Sequence, residues 1–277
     1  MNEWKSSGGR ITLFPASALS PPLSALELYR QVWGEEPDGF QKQPNPLMPS
    51  VAHGKRGSLM AGCLAQPIRI DFNLTPPPPQ QEEAQREAQE QAQEEAQFPL
   101  IKDTGLLHSE LLRIMDVIDQ SAVLHSVVRV ALGVQFLALK PSSEEANRML
   151  TAIIPEQYGV RITDEEDFIF QINRPYTSRK AEGIKMNFIT KWSVDRLQIL
   201  SIALQAGIGP TTSARPSASG AQTAQFIAAS VHFDINNVPS VTPLPSGQPA
   251  SLLREALIAV GQMQRTMSLN IEGFQDA

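Results

Sequence analysis

Of the chemistry-bearing residue types, the 277-residue chain has little. It has one cysteine, Cys63, so no internal disulfide can form. Cys63 lies in the apolar run 59–64 and reads as a small buried hydrophobe rather than a reactive thiol, since no basic or histidine neighbour is evident in the sequence. There are four histidines, His53, His108, His125 and His232. None falls at H-x-x-x-H or H-E-x-x-H spacing and there is no cysteine partner, so zinc has no support. No stretch approaches the roughly 20 apolar residues of a membrane helix. No secretory signal is evident either, because Pro15, Pro21 and Pro22 break the first apolar piece. The expected location is the cytoplasm, with no membrane partner.

Nucleotide and hydrolase signatures are missing too. No G-x-G-x-x-G follows a strand, and no G-x-S-x-G elbow occurs. His53-Gly54-Lys55-Arg56-Gly57 superficially suggests a phosphate loop, but Pro49 stands where its first glycine belongs and Arg56 where Ser or Thr is needed. It reads as a basic turn. No cofactor is expected.

Charge of one sign is scarce outside one segment. The net charge is −6. Glu82, Glu83, Glu87, Glu90, Glu94 and Glu95 against Arg86 alone supply −5 of that, so the remainder is close to neutral. A near-neutral body has no general attraction for phosphate backbones.

What is present is a patterned globular sequence with punctuation. The 22 prolines are clustered. Pro76–Pro79 reads as a polyproline rod, and 81–97 is almost purely Gln, Glu and Ala. That composition favours helix but offers no bulky apolar stripe to bury. Residues 76–97 are therefore expected to be a solvated helical spacer. It separates an N-terminal α+β part, 1–75, from a C-terminal α+β part, 98–277, the two sharing one core. A second appendage, the Gly/Ser/Thr/Pro-rich stretch 207–222, reads as a long loop.

The periodicities predict the following elements. Residues 10–14 form a strand. A helix runs from the Ser24/Glu27 capping box to Gly34. Residues 35–50 form a loop, and 51–74 form two strands. A helix spans 106–119, and 127–139 is a central strand. The next helix opens on Ser142/Glu145 and ends before Pro155. Strands follow at 168–173 and 184–194, and 196–206 leans to strand. A last strand covers 225–236, and a final helix begins near Ser251. The expected fold is α+β: a mostly antiparallel sheet with three or four helices on one face.

One quasi-repeat adds to this. Residues 67–76, PIRIDFNLTP, and 230–239, SVHFDINNVP, share the pattern apolar-x-apolar-Asp-apolar-Asn-x-x-Pro. It raises the expectation of two pseudo-repeated halves. On a strand, alternate residues share a face. Arg69, Asp71 and Asn73 are therefore expected to point together, as are His232, Asp234 and Asn236.

Three functional readings follow. The first is a non-catalytic protein-interaction or assembly component that binds a protein partner or itself. It is motivated by the missing motifs and the two appendages. The second is a metal-dependent enzyme acting on nucleic acid or phosphoesters, with Asp71, Asp234 and His232 as its acid–base set should their strands be neighbours. The third is nucleic-acid binding without catalysis, through Arg174, Tyr176, Arg179, Lys180 and Lys185 around one turn. The acidic run 163–167 nearby reads as a solvated turn that would offset this basic group. Deleting 76–97 is expected to leave a single cooperative thermal transition. Loss of that transition would mean the segment is structural.

Overall fold

The computed structural model describes residues 4–18, 23–42, 49–78, 98–121, 124, 126–160, 168–201 and 222–266. Among these, nine strands form one antiparallel sheet, accompanied by four α-helices. In chain order the elements are β1 (Lys5–Pro15), α1 (Ala25–Trp33), β2 (Gly39–Gln41), β3 (Ser50–Arg56), β4 (Leu59–Gln66), β5 (Arg69–Thr75), α2 (Thr104–Gln120), β6 (Val127–Lys140), α3 (Ser143–Ile153), a 3₁₀ turn (Glu156–Tyr158), β7 (Ile169–Thr177), β8 (Lys185–Ser201), β9 (Gln222–Asn237) and α4 (Gln248–Thr266).

The strand order is β2-β3-β4-β5-β1-β6-β9-β8-β7. Two antiparallel meanders, β3-β4-β5 and β7-β8-β9, flank the central pair β1 and β6. In each meander the last strand lies beside the central strand that began its half. The first half runs β1-α1-β2-β3-β4-β5-α2, and the second runs β6-α3-β7-β8-β9-α4. The halves meet where β1 pairs antiparallel with β6, from Lys5–Leu137 to Pro15–Val127.

Alternation along the strands separates two faces. Ile11 and Leu13 lie opposite Leu132 and Val130. With Phe72, Val134, Phe136, Phe233, Ile235, Phe188 and Trp192 they form the apolar face, all essentially buried. Helical side chains cover it. Leu107 and Leu111 of α2 lie over Gly9, where a Cβ would stand 3.1 Å from Leu107 Cδ1. Trp33 of α1 meets Phe72 edge-on. Leu257 and Val260 of α4 share a crevice with Val134 and Phe136. One hydrophobic cluster runs from Trp4 to Met263 through both halves.

Local chemistry explains the helix ends. Asp103 caps α2 by accepting from the Leu106 N–H at 2.9 Å, and Ser142 caps α3 by accepting from the Glu145 N–H. Gly34, at φ 69°, ends α1 in the left-handed conformation that glycine adopts without penalty. Ser24 differs from expectation. It is the N-cap residue of α1, but its side chain makes no capping hydrogen bond, and only its carbonyl serves the helix.

Two further differences concern strand count. Residues 51–74 hold parts of three strands rather than two, because β3, β4 and β5 are joined by two-residue turns at 57–58 and 67–68. After Leu59, the buried positions of β4 hold only Ala61, Cys63 and Ala65, so it lacks the bulk that marks a strand in sequence. The loop 35–50 also contains β2, a three-residue edge strand. The expected strand at 196–206 is seen as far as Ser201, where β8 ends. Most of the spacer 76–97, most of the loop 207–222, the acidic run 163–167 and His125 lie outside the described residues.

The small residues of β3 let α1 approach closely. A Cβ at Gly54 would overlap the buried Tyr29 hydroxyl, whereas one at Gly62 would meet only carbonyl oxygens at 3.8 Å or more. Gly54→Ala is therefore expected to lower stability by about 1–3 kcal/mol through overpacking. Gly62→Ala should change it by less than about 0.5 kcal/mol. Urea unfolding of the two variants measures the contrast.

Candidate functional site

On the other face the register aligns side chains in rows across the whole sheet. One row reads Gly39, His53, Gly62, Asn73, Arg10, Gly133, Asp234, Ile189 and Asn173, one residue from each strand. Its neighbour on one side contains Leu64, Asp71, Thr12, Ala131, Asn236 and Asn187. On the other side lie Gln135, His232, Lys191 and Gln171. This face is predominantly polar, and Asn73, Arg10, Gln135, His232, Asp234 and Lys191 are all half-buried or exposed.

Asp71, with Thr12 and Asn236 of the same row, is buried. Thr12 Oγ1 donates to its Oδ1 at 2.6 Å, and Arg69 Nε and Nη2 donate at 2.7 and 2.9 Å. Arg69 also lies over the Phe14 ring, as does Arg129. The carboxylate is thus enclosed by a hydroxyl and a forked guanidinium, which fill three of its roughly four acceptor sites.

Asp234 occupies the corresponding place in the second half. Asp71 pairs with Thr12, one residue beyond Ile11, and Asp234 pairs with Gly133, one residue beyond Leu132. Ile11 and Leu132 are themselves opposite each other. The surroundings differ. Glycine replaces the threonine partner and His232 stands where Arg69 would be. Asp234 accepts a hydrogen bond from Asn236 Nδ2 at 2.9 Å.

The expected acid–base set is therefore only partly brought together. His232 and Asp234 are near neighbours on β9. Asp71 lies three strand spacings away and one row over, roughly 16 Å at about 4.8 Å per strand and 3.4 Å per residue. One cation with ligand bonds of about 2–2.6 Å cannot bridge them. Among the described residues no three His, Cys, Asp or Glu side chains cluster as metal ligands.

The expected nucleic-acid set is divided as well. Arg174 and Tyr176 sit opposite Phe188 and Met186, on the apolar face, and Arg174 stacks over the Tyr158 ring. Burial lowers the Arg174 pKa and raises that of Tyr176. Arg179 and Lys180 lie in the β7–β8 turn, where their backbone N–H groups donate to the buried Glu255 of α4, as does the Ser178 hydroxyl. Lys185 pairs with Thr177 and is exposed on the polar face. The two remaining described histidines stand apart. His108 lines the crevice between α2 and α4, and His53 packs against Gly39. The Cys63 thiol is fully buried, and burial pushes its pKa up, away from the reactive range.

The sequence reading missed Arg10. It belongs to the polar face of β1, beside Gly133, and with Ser7, Gly8, Asn73, Thr75, Gln135 and His232 it lines an open trough of about 310 Å³. Gly8 and Gly133 provide a floor without side chains. Burial lowers the His232 pKa from its ordinary value. Asp234 and Asp195 oppose that shift, while Arg10 and Lys191 reinforce it. The only signal for Arg10 in the sequence was its place on the polar side of the first strand. Its meeting with His232 depends on its pairing with Gly133, 123 residues distant.

No protein-family model matches the chain, and no curated protein matches it.

The two aspartates should respond differently to truncation. Asp71→Ala strands the buried Thr12 hydroxyl and removes a charged partner, so a loss of about 1–3 kcal/mol is expected. Asp234→Ala, at a half-exposed site with one neutral donor, should cost less than about 1 kcal/mol. Chemical denaturation of the two variants tests the asymmetry.

Proposed function

We propose that the chain is a non-catalytic binding protein that presents the polar face of its sheet to a protein partner. In this reading the four helices form one layer on the apolar face, and the opposite face is kept as a recognition platform. The observation that carries it is the row structure. A nine-strand array of half-exposed Asn, Gln, Arg, Lys, His and Asp offers many hydrogen-bonding groups, while its most catalytic-looking carboxylate, Asp71, is already neutralised by Thr12 and Arg69. Such a surface suits a polar, non-obligate interface better than a compact reaction centre.

We further infer that the sheet arose from two related halves. The shared Asp-x-Asn strands occupy corresponding places beside the central pair, and apart from β2, which has no counterpart, both halves follow the same strand order. A duplicated platform has twice the width of its unit and lets the halves specialise.

The test uses charge reversal on the platform. Wild-type protein should capture a partner from its native host, or self-associate by size exclusion with light scattering. Arg10→Glu combined with Lys191→Glu should abolish this while leaving the melting temperature within a few degrees. A monomer without a partner, or a partner retained by the double variant, would sink the proposal. Mg²⁺- or Mn²⁺-dependent cleavage of DNA, RNA or a model phosphodiester, lost in Asp234→Ala, would replace it with the enzyme reading.

A further inference from the structure

Thr12 and Gly133 hold corresponding positions beside the two aspartates, and they produce opposite results. At Thr12 the hydroxyl and Arg69 close around Asp71. At Gly133 there is a gap, and two nitrogen groups overhang it. His232 Nε2 stands 3.5 Å, and Arg10 Nη2 3.9 Å, from the point where a side chain at Gly133 would begin. The two nitrogens are therefore no more than about 7.4 Å apart, the span of one bridging anion with hydrogen bonds near 2.8 Å on each side. Neither group is engaged in a hydrogen bond or ion pair among the described residues. Among the described residues, a guanidinium without a partner thus stands beside an unengaged imidazole over a floor of glycine, a place suited to an oxyanion.

The nearby carboxylates select which oxyanion. Asp234 is held by Asn236, and Asp195 by Ser193 and Gln135. Both bear on His232, with Lys191 acting in the opposite sense. A doubly charged phosphate would be repelled by two carboxylates, with Arg10 and Lys191 as the permanent cations close by. A singly charged carboxylate suffers half that repulsion and matches the fork of one arginine. The trough, at about 310 Å³, is larger than a bare carboxylate and accommodates a side chain carrying one.

We propose that Arg10 and His232 form a recognition subsite for an aspartate or glutamate side chain of a partner protein, seated over Gly133 in the trough between β5, β1, β6 and β9. The subsite rests on the binding-platform reading and names what one part of the platform recognises. A bound carboxylate favours protonated His232, so the imidazole pKa rises in the complex. Affinity is then highest between the ligand's own carboxyl range, about pH 4, and the raised imidazole value, and it falls as pH increases through that value. Asp234 and Asp195 work in the same direction as the ligand, and Arg10 and Lys191 against it. The pH step therefore belongs to His232 and should vanish with it.

The experiment is a nuclear magnetic resonance titration of the full chain at low ionic strength, following the His232 ring and the amides of β1, β6 and β9. The probes are an N-acetylated, C-amidated Gly-Ser peptide carrying one glutamate, its glutamine counterpart, and inorganic phosphate. The glutamate peptide should shift Gly133 and His232 and raise the His232 pKa. The glutamine peptide should bind at least about tenfold more weakly, and Arg10→Gln should impose a similar loss, the size of a missing charge-assisted hydrogen bond. In His232→Gln the peptide should still bind, without the pH step between about pH 5 and 8. Equal binding of the two peptides, an unaffected Arg10→Gln, or a response to phosphate alone would overturn the subsite. If Arg10→Gln is without effect while Arg10→Glu with Lys191→Glu still blocks partner capture, the platform stands and the subsite falls. If Arg10 governs the glutamate peptide but charge reversal leaves capture intact, the subsite stands and the platform reading falls.

Discussion

The antiparallel ladder between β1 and β6 carries the rest of the structure. Remove it and the nine strands become two separate sheets, each with a bare edge along its longest apolar residues. The ladder places Ile11 against Leu132 under the helices, and on the other side it places Arg10 against Gly133. A single register thus determines both the core and the trough. A slip of one residue would turn every side chain of one half to the wrong face. Burial of Ile11, Leu13, Val130 and Leu132 makes such a slip prohibitively costly.

The polar face shows how one backbone supports two outcomes. Asp71 and Asp234 stand in matching positions, and their difference is made by neighbours of one or two residues. Threonine and arginine close the first site into a stable ion-paired unit. Glycine and histidine leave the second open, with Arg10 reaching toward it from the central strand. A buried charge that is fully partnered is structural; in the reading proposed above, the same carboxylate with space beside it belongs to a recognition surface.

Much of the architecture was legible in the residues. Alternation marked β5 and β9, the apolar run marked β6 as central, and capping residues placed the start of α3. The misses have physical causes. Beyond Leu59, β4 buries alanine and cysteine in place of large side chains, so its strand character comes from its neighbours rather than from itself. β2 exists only because β3 offers it an edge. The candidate site was legible only within one strand: His232 and Asp234 share a face by alternation, but nothing local announces that Arg10, more than two hundred residues earlier, is the third member. Pairing between distant strands creates that proximity, and strand periodicity contains no information about partners.

The central ladder also imposes an order on birth. Ribosomal synthesis delivers β1 through β5 and α2 before the first residue of β6 appears. During that interval the outer edge of β1 has backbone donors and acceptors and no companion. It is the edge that natural sheets ordinarily shield with charge, proline or brevity, yet here it runs through Ile11, Leu13 and Phe14. At roughly 5–20 residues per second the wait for all of β6 lasts about a second or more. A first half folded ahead of the second would therefore present a sticky edge, which β6 covers.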